Sequence, residues 1–316
     1  MPMESEFEKV GWIDLSIAAV RVIKRKGIQL DLGKKILLHD NPLRGSDYSY
    51  ELIVTTENDP VFQPATYRER AMEKGFYIGH HFGHPVKLKH MGEGVVYLHS
   101  DDVETIIWSY LIKYWLTIAA HRMKCLHFKA GCFEHSGRAY LLLGRGGSGK
   151  TEILNRLGSF DGYSVVANTH VLISSGKALG VKTMARVRKD DGTERYALLN
   201  DAMGGKWLKI GAVLWINHRT DGKSKIYPMQ EDEIERNIAY YSNAIGNWEL
   251  KEDISDYTNG SPFAFSRWIE QEDRQIHALC SKTPAYYLNL DVKAGFGLDS
   301  LFKLIDSLER EAKDGL

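Results

Sequence analysis

The chain has 316 residues, 43% hydrophobic and 26% charged, with 41 basic and 41 acidic side chains and no formal net charge. This is the composition of a globular protein long enough for two domains, and the charge balance argues against a nucleic-acid partner, which usually demands a basic excess. Cys125, Cys132 and Cys280 include no C-x-x-C pair, which argues against a disulfide framework and fits a reducing cytoplasm. Met1-Pro2-Met3-Glu4-Ser5-Glu6 has neither a basic leader nor an apolar one, so no signal peptide is expected. The most apolar long stretch, 103–120, contains Glu104 and Lys113 and reads as an amphipathic helix, so no membrane partner is expected either.

Residues 1–100 read as a smaller β-rich N-terminal domain. Alternation predicts strands at 28–32, 50–54, 75–78 and 94–98. His80, His81, His84 and His90 cluster within this domain. Zinc would need three or four of them converging. His80 and His81 face opposite ways on an extended chain, and no H-E-x-x-H spacing or nearby cysteine supports a metal, so the cluster reads as a histidine-rich turn.

At residue 101 the period changes. Ile107, Leu111, Tyr114, Trp115 and Ile118 recur at helical spacing, with Asp101 or Asp102 placed to cap the start. An apolar strand follows at 139–143. That strand runs into Gly144-Arg145-Gly146-Gly147-Ser148-Gly149-Lys150-Thr151, a complete G-x-x-x-x-G-K-[ST] phosphate-binding loop. Helix-forming residues 152–157 leave it. A strand, a glycine loop and a helix N-terminus make an anion site: backbone N–H groups point at phosphates and the helix dipole adds a positive end. Lys150 would reach the β- and γ-phosphates of ATP or GTP, and Thr151 would hold Mg²⁺. Further strands are predicted at 164–167, 171–173, 185–188, 212–216 and 284–288, with helices at 231–241, 268–279 and 298–312.

The segment 126–173 resembles the nucleotide-binding domain of HPr kinase/phosphorylase-like proteins. Four features carry the resemblance: the strand opening Leu126-His127-Phe128-Lys129-Ala130-Gly131; the hairpin Phe133-Glu134-His135-Ser136-Gly137-Arg138-Ala139; the loop end Gly149-Lys150-Thr151-Glu152; and the early return strand Val165-Val166-Ala167-Asn168-Thr169-His170-Val171. The resemblance implies an α/β P-loop kinase-like domain over 101–316 behind the β-rich domain. It also implies a cytoplasmic, ATP-dependent phosphotransferase acting on a hydroxyl of a small molecule or peptide, with Mg²⁺ as cofactor. It implies a place near the phosphates for His127. In the family the early return strand ends in an acidic pair, one carboxylate helping to hold the metal and the other receiving the proton of the attacking hydroxyl. Here those positions are Asn168 and Thr169, which accept no proton as a carboxylate does.

Two explanations stand beside each other. Phosphotransfer continues with another base, for which His170 is the candidate: on an extended strand it would share a face with Asn168, and its ordinary pKa of about 6.5 suits the task. Or the protein is a non-catalytic nucleotide-binding regulator or biosynthetic partner. A nucleotide-hydrolysing switch is a third reading. Arg145 is either a phosphate clamp or a solvent-facing arginine. Glu152 is either part of a metal shell or an acidic residue favoured by the helix dipole. The basic stretch Lys182, Arg186, Arg188 and Lys189, and Arg219 after the apolar strand 212–216, are weaker anion candidates against a solvated reading. Oligomeric state is open, a homo-oligomer included.

Overall fold

The computed structural model describes residues 6–42, 48–62, 86–188, 193–199, 205–218, 225–241, 243–247, 250, 254, 257–258, 260–290 and 298–314. The protein is mixed α/β, with three sheets among the described residues. It divides into two compact units, Met1–Met123 with Leu250–Arg267, and Lys124–Glu249 with Trp268–Leu316. The amphipathic helix expected to open the second domain thus groups with the N-terminal sheet.

The described residues of the first unit form six strands: β1 (Phe7–Asp14), β2 (Ala18–Arg25), β3 (Leu38–His39), β4 (Tyr48–Val54), β5 (Val86–His90) and β6 (Val95–Ser100). Their order is β3-β1-β2-β4-β6-β5, with β2–β4 and β4–β6 parallel and the other pairs antiparallel. β4 and β6 answer the strands expected at 50–54 and 94–98. The expected strand at 75–78, like His80, His81 and His84, lies outside the described residues. The strand expected at 28–32 does not form. Gly27 and Gly33 turn the chain with φ of 88° and 118°. The N–H groups of Gly33 and Lys35 then donate to the buried carboxylate Oε1 of Glu104, at 2.8 and 2.7 Å, in place of a strand partner.

Helix α1 runs as Val103–Ile106, a π-helical turn Ile107–Leu111 and Ile112–Arg122. Asp102 caps it by accepting from the Thr105 N–H at 3.0 Å. Ile107, Leu111, Tyr114, Trp115 and Ile118 are all fully buried, as their spacing demands. His90 packs its ring on Tyr114 and meets the Tyr110 hydroxyl at 3.3 Å, the surroundings of a packed histidine. Among the described residues no group of three or more His, Cys, Asp or Glu could hold a metal, and no helix is long and apolar enough to cross a membrane.

The second unit is built on a nine-stranded sheet and a separate hairpin. Its strands are β7 (Leu126–Lys129), β8 (Gly131–His135), β9 (Arg138–Leu143), β10 (Tyr163–Ala167), β11 (His170–Ser174), β12 (Lys177–Gly180), β13 (Ala185–Arg188), β14 (Glu194–Ala197), β15 (Leu208–His218), β16 (Lys225–Pro228) and β17 (Ala285–Leu290). β9, β15 and β17 lie side by side and parallel; β8 and β10 extend one edge antiparallel and β16 the other. β12, β11 and β7 branch from the start of β15. Among the described residues β13 pairs with β14 alone.

Helices cover both faces of this sheet. On one side, Ile153, Leu154 and Leu157 of α2 (Lys150–Leu157) and Leu301, Ile305 and Leu308 of α5 (Leu298–Asp314) pack on Tyr140, Leu142, Leu214, Ile216 and Leu288. On the other, Ile234 and Ile238 of α3 (Glu231–Tyr241) and Ile276 and Leu279 of α4 (Pro262–Cys280) pack on Leu141, Leu143, Val213 and Trp215. Each buried leucine or isoleucine contributes about 1.5–3 kcal/mol by leaving water. Ile210 and Ala212 face opposite clusters although two apart, because β15 is bulged between them. Gly211 sits in that bulge, where a Cβ would lie 2.9 Å from the Tyr140 ring. The three cysteines are buried and none is in a disulfide.

Candidate functional site

The three parallel strands end at one edge of the sheet, the place where open α/β sheets carry ligands. β9 finishes at Leu143, opposite Trp215 of β15. The glycine loop leaves there and α2 starts at Lys150. Gly144, Gly147 and Gly149 take φ of 140°, 76° and 93°, which side chains resist. Gly144 also lies close to β15: a Cβ there would stand 2.8 Å from the Ile216 carbonyl oxygen and 2.8 Å from Ser148 Oγ. Gly149 is the N-cap of α2, and no side chain caps the helix. Its N-terminus therefore faces the loop with its dipole uncompensated by a capping group.

Lys150 curls back into this loop. Its ammonium donates to the carbonyls of Gly144 at 2.6 Å and Arg145 at 2.8 Å, and to Ser148 Oγ at 3.3 Å. Burial, with the charge of Lys129 adding, pulls its pKa down to about 8. Arg145, Gly146 and Gly147 are exposed, so the crest of the loop is open to a ligand. Glu152 is exposed and pairs with Arg156 Nε at 2.9 Å, an i,i+4 helix pair that turns its carboxylate along the helix.

The strand expected to carry Asn168 ends at Ala167, and the next begins at His170. Asn168 and Thr169 form the bend between them, tied down by the Ala130 N–H donating to the Thr169 carbonyl at 3.0 Å. Asn168 and His170 therefore do not share a strand face. The bend brings Asn168 to the loop: Thr151 Oγ1 donates to Asn168 Oδ1 at 3.0 Å, and Asn168 Nδ2 donates to Thr169 Oγ1 at 2.9 Å. His170 turns instead to His127. Their rings meet Nδ1 to Nε2 at 3.1 Å, one donating and one accepting, and both side chains are buried. The register explains the pairing, since His170 lies opposite Lys129 and so diagonal to His127 on one face of β7–β11.

Two features carried no role in the sequence. Asn217 and Asn289 occupy one rung beyond the end of β9, joined Nδ2 to Oδ1 at 3.1 Å and braced by Trp215 Nε1 and the Tyr227 hydroxyl. Their signal was an asparagine next to the last residue of each strand. Lys129 is the second. Gly131 pairs with Leu142, and β8 runs antiparallel to β9, so the chain just before Gly131 lies level with the start of the glycine loop. Of the remaining anion candidates, Arg186 is exposed on the β13–β14 hairpin. Lys189 and Arg219 lie outside the described residues.

The donor set fits a phosphate chain better than a protein-held magnesium ion. The loop offers backbone N–H groups, a helix start and an ammonium. The oxygens beside Thr151 are the neutral amide of Asn168 and the hydroxyl of Thr169, whereas Mg²⁺ is ordinarily held through one or two carboxylates plus phosphates. Residues 151, 168 and 169 supply no negative charge for it.

Lys150 gives the site a pH signature. A bound polyphosphate stabilises its ammonium, so the bound pKa rises above the free value of about 8. Below pH 8 the lysine is charged in both states and affinity is highest; as pH rises through 8, binding must take up a proton and affinity falls. Calorimetry at pH 8.5 in buffers of differing ionisation enthalpy should show uptake of about half a proton or more per ligand bound. Uptake of none would place Lys150 away from the ligand. Compared with known proteins, the chain matches no family model and no curated sequence.

Proposed function

We propose that the second unit binds a nucleoside triphosphate, ATP or GTP, through Gly144–Thr151, as a nucleotide-binding module of the HPr kinase-like kind. One observation carries this: a G-x-x-x-x-G-K-T loop stands between the end of a parallel strand and an uncapped helix start, with the Lys150 ammonium held inside it. The phosphates would replace the Gly144 and Arg145 carbonyls as partners of Lys150. The loop N–H groups and the start of α2 would stabilise the rest of their charge.

Binding without turnover is the reading the local chemistry favours. Asn168 and Thr169 occupy the positions expected of the acidic pair, and both ends of the Asn168 amide are engaged. The second reading is transfer of the γ-phosphoryl group to a hydroxyl of a small molecule or peptide. The hydrogen-bonded His127–His170 pair favours it, because it places a proton-sharing group immediately after the Asn168–Thr169 bend. Calorimetric titration should give binding in the order triphosphate, diphosphate, monophosphate, with monophosphate at least about a hundredfold weaker than triphosphate, 2.7 kcal/mol. Equal binding of all three, or of none, removes the loop from the function. Mass spectrometry of protein incubated with ATP and candidate hydroxyl acceptors then separates the readings. Phosphorylated product that falls about 10²–10⁴-fold in rate on His170→Ala supports phosphotransfer, and its absence supports the module.

A further inference from the structure

We propose that Lys129 is a second phosphate-binding cation, and that with Lys150 it lets the site hold a nucleoside triphosphate without a divalent metal. The inference rests on the nucleotide-binding reading above and goes beyond it in assigning a residue and a metal requirement.

Three observations place Lys129 there. Lys129 stands two residues before Gly131, which pairs with Leu142 two residues before the first glycine of the loop, so continuing the β8–β9 register brings it level with the start of that loop. Through β7 and β11 it lies directly opposite His170, and the next residue, Ala130, donates to the Thr169 carbonyl. It therefore borders the bend whose Asn168 touches Thr151. Finally, its half-buried ammonium makes no hydrogen bond or ion pair among the described residues, while its charge is felt at Lys150. Burial alone accounts for the lowering of its own pKa, as expected where no carboxylate stands beside it.

A half-buried lysine with no counter-charge, beside another lysine, is costly in the empty protein. A polyanion relieves that cost for both at once. The neighbouring residues agree. A triphosphate normally reaches such a loop with Mg²⁺, and carboxylates of the protein hold the ion. Here the bend carries an amide and a hydroxyl, and the strand paired with β11 carries a lysine opposite the residue that follows the bend. Charge that a metal would bring is already supplied by the chain.

The experiment is calorimetric titration of the full chain with ATP, once in excess EDTA and once in millimolar Mg²⁺. The parent is expected to bind equally well in both, within about threefold. Lys129→Met should bind at least about tenfold more weakly in EDTA and recover part of that loss with Mg²⁺. Lys129→Arg, which keeps the charge, should stay within about fivefold of the parent in both, and thermal melting of each variant checks the fold. Lys150→Ala should lose affinity under both conditions. Parent binding that needs Mg²⁺, by tenfold or more, overturns the inference and leaves the loop reading standing. Unchanged affinity of Lys129→Met in EDTA does the same. Absence of ATP binding to the parent under both conditions overturns both.

Discussion

Replacing Lys150 with alanine is expected to weaken triphosphate binding by about 10- to 100-fold, or 1.4–2.7 kcal/mol. The fold should be nearly indifferent. In the empty site the ammonium serves only the two loop carbonyls and Ser148 Oγ, and its depressed pKa shows that the surroundings already penalise its charge. The melting temperature should therefore move by only a few degrees, in either direction. Lys150→Arg is not a conservative rescue: the planar guanidinium cannot fold into the space between the Gly144 and Arg145 carbonyls as a compact ammonium does. Titration with ATP, run beside thermal melting, checks both halves. Unchanged affinity would mean that the loop is a structural turn. Lost affinity together with a collapse of the melting temperature would mean that Lys150 holds the loop rather than a ligand.

The elements around the loop were legible because each is local. The hairpin at 133–139, the apolar strand, the glycines and the helix behind them lie within 133–157, and the structure builds them as β8, β9 and α2. The same holds for α1, whose apolar stripe and Asp102 cap lie on one continuous helix. What failed depended on partners far along the chain. The alternation at 28–32 looked like a strand, but its neighbours Gly33 and Lys35 bond to Glu104, 71 and 69 positions away. Asn168 and His170 looked like one strand face. The bend between β10 and β11 instead sends Asn168 to Thr151 and His170 to His127, 43 positions upstream. Lys129 was visible as a lysine in an apolar strand, yet only the pairing of β7, β8 and β11 gives it a location. Charge pattern in the sequence pointed to Arg186 and Arg188 instead, which the fold puts on a separate hairpin.

The glycines of the loop offer a graded test of that geometry, because the backbone asks something different of each. Gly146 takes no left-handed φ and has open space where a Cβ would go, so Gly146→Ala should leave stability within about 0.5 kcal/mol and affinity nearly unchanged. Gly147 also has open space but sits at a φ of 76°, so alanine there should cost about 1–2 kcal/mol of backbone strain. Gly144 combines a φ of 140° with two obstacles at 2.8 Å, one of them the carbonyl of Ile216 on the neighbouring strand. A backbone carbonyl in a buried parallel pair cannot swing aside as a flexible side chain can. Gly144→Ala should therefore cost about 2–5 kcal/mol from strain and overpacking together. For a unit of this size that lowers the melting temperature by about 5–15 °C. The loop must also lift away from β15 to make room, which moves the Gly144 carbonyl and Lys150 with it. Triphosphate affinity should fall at least about tenfold, 1.4 kcal/mol. The order Gly146, Gly147, Gly144, in melting temperature and affinity alike, is what the close approach to Ile216 demands. A Gly144→Ala protein that melts and binds like the parent would mean that the loop does not sit against β15.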